Sequence, residues 1–108
     1  MTSVYCLVVC SCPDEETADV LAEGLVEGRL AACVNVVSGV RSVYRWRGAL
    51  EKSAECLILA KTLSSRLPEL QAWLRARHPY ELPEIIAIPI QSGLPEYLEW
   101  VGTCVTPP

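Results

Sequence analysis

An α+β fold built on an antiparallel sheet is predicted by three features of this 108-residue chain. Strand-like apolar runs lie near both ends, two segments of helical periodicity lie between them, and the middle is one long β-rich stretch broken only at Arg47-Gly48. The first run, "VYCLVVCSC" (4–12), is apolar on both alternating sets of positions, Tyr5, Leu7 and Val9 against Cys6, Val8, Cys10 and Cys12. Such a strand is expected at the centre of a sheet with both faces covered. In "PDEETADVLAEGLVE" the residues Ala18, Leu21, Ala22 and Leu25 share one stripe, and Asp14, Glu15 and Glu16 stand where acids complement a helix dipole. The first helix is therefore predicted from Asp14 to Glu27.

Residues 31–46 read as the second strand, with Gly39 marking a bulge or bend, and a tight Arg47-Gly48 turn returns the chain into a third strand over 49–62. "SSRLPELQAWLRARH" carries Leu67, Leu70 and Leu74 on one stripe, with Ser64 or Ser65 as N-cap and Pro68 in the first turn. Pro79 ends this second helix, because the residue before a proline is driven out of the α region. "EIIAIPIQS" (84–92) is the fourth strand. Pro89 cannot donate to a ladder from its middle, so that strand belongs at a sheet edge. A short helix from Pro95 is expected to bury Leu94, Leu98 and Val101. The order βαββαβ predicts a single domain over 1–108, a ferredoxin-like antiparallel sheet with strand one central and the helices on one face.

Function classes are narrowed by what the composition lacks. A net charge of −4 leaves no basic footprint for nucleic acid or an anionic membrane surface. No apolar run approaches the ~18 residues of a membrane span, and the first run has no basic flank of the kind that opens a signal peptide. Six cysteines without a Cys-x-x-Cys spacing point to reduced thiols and a cytoplasmic location, not to a disulfide framework or structural zinc. With one histidine, no Ser-His-Asp set and no phosphate-cradling glycine loop, the chain reads as a non-enzyme. Spacing alone still leaves open a thiol enzyme with Cys10 as nucleophile and His78 as base.

The long hairpin demands a partner. About 16 residues of strand two reach about 50 Å at ~3.3 Å per residue, whereas a compact chain of this size is roughly 35 Å across. The ribbon carrying Val40, Val43, Tyr44, Trp46 and Leu50 must therefore project onto a neighbouring copy, or fold back through a bend at Ser38-Gly39.

"CPDEETA", "LVEGRLAACVNVVSGVRSVYRWRG", "LAKT", "HPYELPEI" and "YLEW", in this order and spacing across residues 4–105, resemble the CutA family of divalent-cation tolerance proteins. The resemblance implies a ferredoxin-like homotrimer similar in architecture to PII signalling proteins, a role in tolerance of divalent metals, copper above all, and no catalysed reaction. It also places the family's proposed metal positions on Cys10 and His78. Two positions depart from the family pattern. Leu63 stands where a second threonine commonly follows Lys61-Thr62, and Arg77 stands where some members carry another histidine just before His78.

The topology sorts the candidates by sheet end: Cys10, His78 and Glu84 converge at one end, Cys33 and Lys61 lie at the other. A thiolate, an imidazole and a carboxylate suit Cu(I), Cu(II) or Zn(II), so copper or another divalent cation is expected to bind weakly, with no obligatory cofactor. Arg77 should weaken that binding by its charge. The alternative role for the pair is structural, His78 as a helix stop and Cys10 as a small core residue. A second candidate is a cleft between subunits, with Tyr80, Glu81 and Glu84 facing Tyr44, Trp46 and Arg47 of a neighbouring hairpin and Lys61 serving an anion or solvating a strand end. Taken with the resemblance, which alone supplies the number three and the metal role, the expectation is a cytoplasmic homotrimer in metal-ion homeostasis, its partners being its own copies and metal ions; the alternative is a PII-like trimer that senses a small molecule or a protein.

Overall fold

In the computed structural model, which describes residues 3–107, the strand β1 (Tyr5–Cys12) is hydrogen-bonded on both edges. Its neighbours are β3 (Ala49–Leu63) and β4 (Ile85–Pro89), and β2 (Cys33–Trp46) completes an antiparallel sheet of order β2-β3-β1-β4. Three helices accompany the sheet: α1 (Glu15–Glu27), α2 (Leu67–Arg77) and α3 (Pro95–Val105). This is the expected βαββαβ order with β1 central and β4 at the edge. Pro89 ends β4 instead of interrupting it. The Ile90 N–H donates to Tyr5 O at 3.0 Å, so the preceding nitrogen, that of Pro89, points away from β1, where no ladder bond is lost.

Alternation along β1 builds the main core. Cys6, Val8, Cys10 and Cys12 all face α1 and α2, where they pack with Ala18, Leu21, Leu25, Leu70 and Leu74, all buried. Asp14 caps α1 by accepting the Thr17 N–H at 2.7 Å, a bond that also holds the Asp14 carboxyl below its ordinary range. The helices meet closely because residue 24 is glycine: a Cβ there would stand 2.5 Å from the Trp73 ring. Neither Ser64 nor Ser65 caps α2. The Ser64 N–H instead donates to Val4 O and its hydroxyl to Ser3 O, closing the end of the β1–β3 pair, and a 3-10 turn over Ser64–Arg66 leads into the helix.

The opposite face of the sheet departs from expectation. Only α1 and α2 share a face; α3 lies across the other one, its Val101 and Val105 packed on Tyr5 and Leu63. Leu63 thereby becomes the anchor of α3. Leu94 precedes the helix and is exposed, Leu98 is half-buried, and Trp100 is likewise exposed. Beyond α3, Leu7, Val9, Leu57 and Leu59 are half-buried, while Ile86 and Ile88 are 51% and 47% exposed. Both faces of β1 are apolar, yet a single chain covers one of them and only an end of the second.

The hairpin is as long as the sequence implies and bends where Gly39 stands. A register shift between Val37 and Val40 and a φ of 74° at Gly39 define the bulge. The turn has both central residues in the left-handed region, Arg47 at φ 51° and Gly48 at φ 81°, as a two-residue hairpin loop requires. The molecule measures 44 × 25 × 24 Å, its long axis well beyond the other two. The tip nevertheless returns to its own chain, where Arg47 Nη2 lies 2.7 Å from Glu81 Oε2.

Candidate functional site

His78 is explained by a carbonyl that β4 fails to reach. Tyr5 O accepts from Ile90, so the carbonyls of Leu7, Val9 and Ser11 point to the same side of β1. The last β1–β4 pair is Cys10 with Ile85, which leaves Ser11 O beyond the end of β4. The His78 ring fills the gap: Nε2 donates to Ser11 O at 2.8 Å, while Nδ1 accepts the Tyr80 N–H at 3.1 Å. An Nδ1 that accepts must be unprotonated, so the hydrogen resides on Nε2. The ring is 8% exposed and stands at the C-cap of α2, its own N–H donating to Leu74 O at 2.8 Å.

The same placement gathers three ligand-type side chains. The donor atoms of Cys10, Cys12 and His78 lie within 4.8 Å of one another, and all three residues are buried. Among the described residues no other group of three histidine, cysteine or acidic side chains converges so closely. Cys10 and His78 therefore meet as expected, whereas the third member is Cys12 and not Glu84. Period-two alternation already put Cys12 on the face of Cys10, so this member was legible in the Cys-x-Cys spacing. Hydrogen bonding to Cys12, then burial, then the negative charges of Cys12, Glu84 and Glu55 hold the Cys10 thiol far above its ordinary range. The same hydrogen bond pulls Cys12 below its own, against the effect of burial, so Cys12 is the member that ionises first.

This set suits a borderline or soft metal ion in chemistry and spacing, at a cost in hydrogen bonds. Either His78 nitrogen becomes a ligand only by giving up Ser11 O or the Tyr80 N–H. The Arg77 guanidinium is engaged elsewhere, 4.4 Å above the Trp73 ring and donating to Trp73 O.

The other face of the same sheet end carries a cleft of about 650 Å³. It is walled by Tyr44, Trp46 and Tyr80 and by the acids Glu55, Glu81 and Glu84. The hairpin and the 78–84 loop that form it belong to one chain, and the Arg47–Glu81 pair ties them together. Glu55, 9% exposed, escapes sequence reasoning because its partner is remote: the Tyr80 hydroxyl donates to Oε2 at 2.6 Å from 25 positions away. Burial, followed by that hydrogen bond and the Glu55 charge, raises the Tyr80 phenol well above its ordinary value. Lys61 takes no part in the cleft. It pairs with Leu7 and Cys33 in the sheet and donates to Asn35 Oδ1 and, at 3.6 Å, to Cys33 Sγ.

Fold and site together define a small antiparallel α+β domain with a buried thiol–imidazole cluster on one side of a strand end and an acidic, aromatic cleft on the other. Residues 6–104 match the model of the CutA1 divalent ion tolerance protein family, and the chain belongs to that family. It is 47% identical over 95 residues to a CutA homolog of Xenopus laevis, aligning 88% of this chain with 63% of that protein. It is also 47% identical over 95 residues to the divalent-cation tolerance protein CutA of Thermus thermophilus, across 88% and 92% of the two chains. The chain thus spans less than two thirds of the frog relative and nearly all of the bacterial one. The solved CutA of Xylella fastidiosa superposes with a TM-score of 0.93 at 41% identity, covering 96% of this chain and 100% of that one. The family is named for tolerance, not for a reaction. Relatives carry differing addresses: that of Arabidopsis thaliana is named chloroplastic, and a structure from Archaeoglobus fulgidus is described as periplasmic. Among the described residues no helix is long and apolar enough to cross a membrane.

His78→Ala removes the partner of a buried carbonyl and of a part-buried N–H at once. Each such loss costs about 1–3 kcal/mol, so urea denaturation in the presence of chelator should show a stability loss of roughly 2–6 kcal/mol. An unchanged midpoint would mean that the ring does not clamp the strand end.

Proposed function

We propose that this protein acts in metal-ion tolerance by binding copper or a chemically similar cation weakly at Cys10, Cys12 and His78. The observation that supports this reading most is the convergence of three buried donor atoms within 4.8 Å. Two sulfurs and one imidazole favour Cu(I) or Zn(II) over hard cations. When bound, the ion would be held by both thiolates and by a ring nitrogen released from its hydrogen bond, which keeps the affinity low. Thiols ligate only after losing their protons, so affinity should rise with pH. Glu84, the third member expected from topology, lies exposed in the cleft and contributes only a distant negative charge.

The working unit in this reading is a homotrimer in the cytoplasm. Its support is the uncovered apolar sheet face of Leu7, Val9, Leu57, Leu59, Ile86 and Ile88, a surface that a closed assembly of copies would bury. The number three rests on resemblance to the family. The cleft at the end of that face favours a second reading, a PII-like module in which a bound small molecule is sensed at the sheet end.

Titration with Cu(I) under reducing conditions, and with Zn(II), should show Cys10→Ser, Cys12→Ser and His78→Ala each weakening binding by at least roughly tenfold, with Glu84→Gln unchanged. If Cys10→Ser and His78→Ala both bind as tightly as the parent, the metal reading is wrong. For the assembly, sedimentation velocity at micromolar concentration should show a three-chain species that Ile86→Glu dissociates. A parent protein that sediments as a monomer would refute it.

A further inference from the structure

The acidic, aromatic cleft is unused by the metal reading, and its charges are unbalanced. Among the described residues the only ion pairs are Arg47–Glu81 and Arg66–Glu69, which leaves Glu55 and Glu84 without a cationic partner. Glu55 is the informative member. It is nine-tenths buried, it lines the cleft, and its single hydrogen bond is the one that Oε2 accepts from Tyr80. A carboxylate partly enclosed by protein attracts a cation more strongly than one fully in water. Its other oxygen, Oε1, has no protein donor and is not sealed from solvent, so it is available to whatever enters the cleft.

The geometry separates the kinds of cation that fit. A metal ion needs donors drawn to within a few ångströms of one another, and Glu55, Glu81 and Glu84 form no such group. Carboxylates spread along a cleft match instead a cation whose charges are also spread out. The walls supply the remaining preference: Tyr44, Trp46 and Tyr80 offer ring faces to ammonium groups and to the methylenes between them. The Arg47 guanidinium, 5.2 Å over the Trp46 ring and 2.7 Å from Glu81, already displays this mode of recognition at the rim. A volume of about 650 Å³ lies within the range of small-molecule sites.

We propose that the cleft between the hairpin and the 78–84 loop binds a linear organic polyamine, with one ammonium on Glu55, another on Glu84, and the chain between them flanked by Tyr44, Trp46 and Tyr80. The site is distinct from the thiol–imidazole cluster, since Ser11 and Glu55 face one side of the sheet end and Cys10 and Cys12 the other.

The test is calorimetric titration of the purified full chain with spermidine at low ionic strength, in chelator, alongside Mg²⁺ as a second probe. Saturable binding of spermidine is expected, lowered by at least roughly tenfold in Glu55→Gln, whose amide oxygen still accepts from Tyr80. Glu84→Gln, an exposed change that leaves the fold intact, should also weaken it, and Trp46→Leu should do so without altering net charge. Cys10→Ser, which weakens the proposed metal binding at a side chain buried on the helix face and absent from the cleft wall, should leave spermidine affinity unchanged, so the two sites stand or fall separately. Absence of saturable binding, or equal binding by the parent, Glu55→Gln and Glu84→Gln, would overturn the proposal. So would Mg²⁺ binding that depends on Glu55 while spermidine fails to bind, since the cleft would then be a metal site.

Discussion

The end of this molecule that carries both candidate sites exists because β3 outlasts the strand beside it. β3 has 15 residues and β1 has eight, and the β1 ladder stops where Cys12 faces Cys56. From Ala49 to Glu55 the third strand is paired only with β2, and an isolated two-stranded ribbon is marginal in water. The 78–84 loop supplies the missing support. It wraps around the strand end, places Tyr80 on Glu55 and Glu81 on Arg47, and leaves the cleft between itself and the ribbon. The shortness of β4 acts on the other edge of β1, where it frees Ser11 O for His78. Two mismatches in strand length thus create two candidate sites.

Those sites differ in the chemistry that they can accept. Cys10 and Cys12 face the helices, so their cluster is dry and rich in sulfur, and one imidazole closes it. Glu55 and Ser11 face the opposite side, where the hairpin and loop leave an open volume lined by carboxylates and rings. Soft cations match the first and diffuse organic cations the second. One strand end, read on its two faces, separates them.

Where periodicity decides, the sequence is legible. Alternation over 4–12 tells which cysteines share a face, Pro89 places β4 at an edge, and Arg47-Gly48 marks the turn. Where two partners compete for one group, it is not. Ser64 has the side chain of an N-cap, but its hydroxyl is turned to Ser3 O and a 3-10 turn separates it from the helix. The apolar stripe of α3 says that the helix is buried, yet carries no information about which face of the sheet receives it. Glu84 is a companion for Cys10 and His78 by topology, since it precedes β4 at the correct end, whereas Cys12 is closer by the plain geometry of i and i+2 on a strand. Glu55 is invisible for a different reason, since nothing local announces that a tyrosine 25 positions on will hold a carboxylate in the sheet's border.

The central claim is that metal enters the thiol–imidazole cluster and not the carboxylate cleft. X-ray absorption at the metal edge of Cu(I)- or Zn(II)-loaded protein addresses it directly, because sulfur and oxygen ligands scatter at distinct distances. The account requires sulfur at about 2.3 Å together with nitrogen at about 2.0–2.1 Å in the zinc form. A first shell of oxygen alone, with no sulfur, would place the ion among the carboxylates and contradict it.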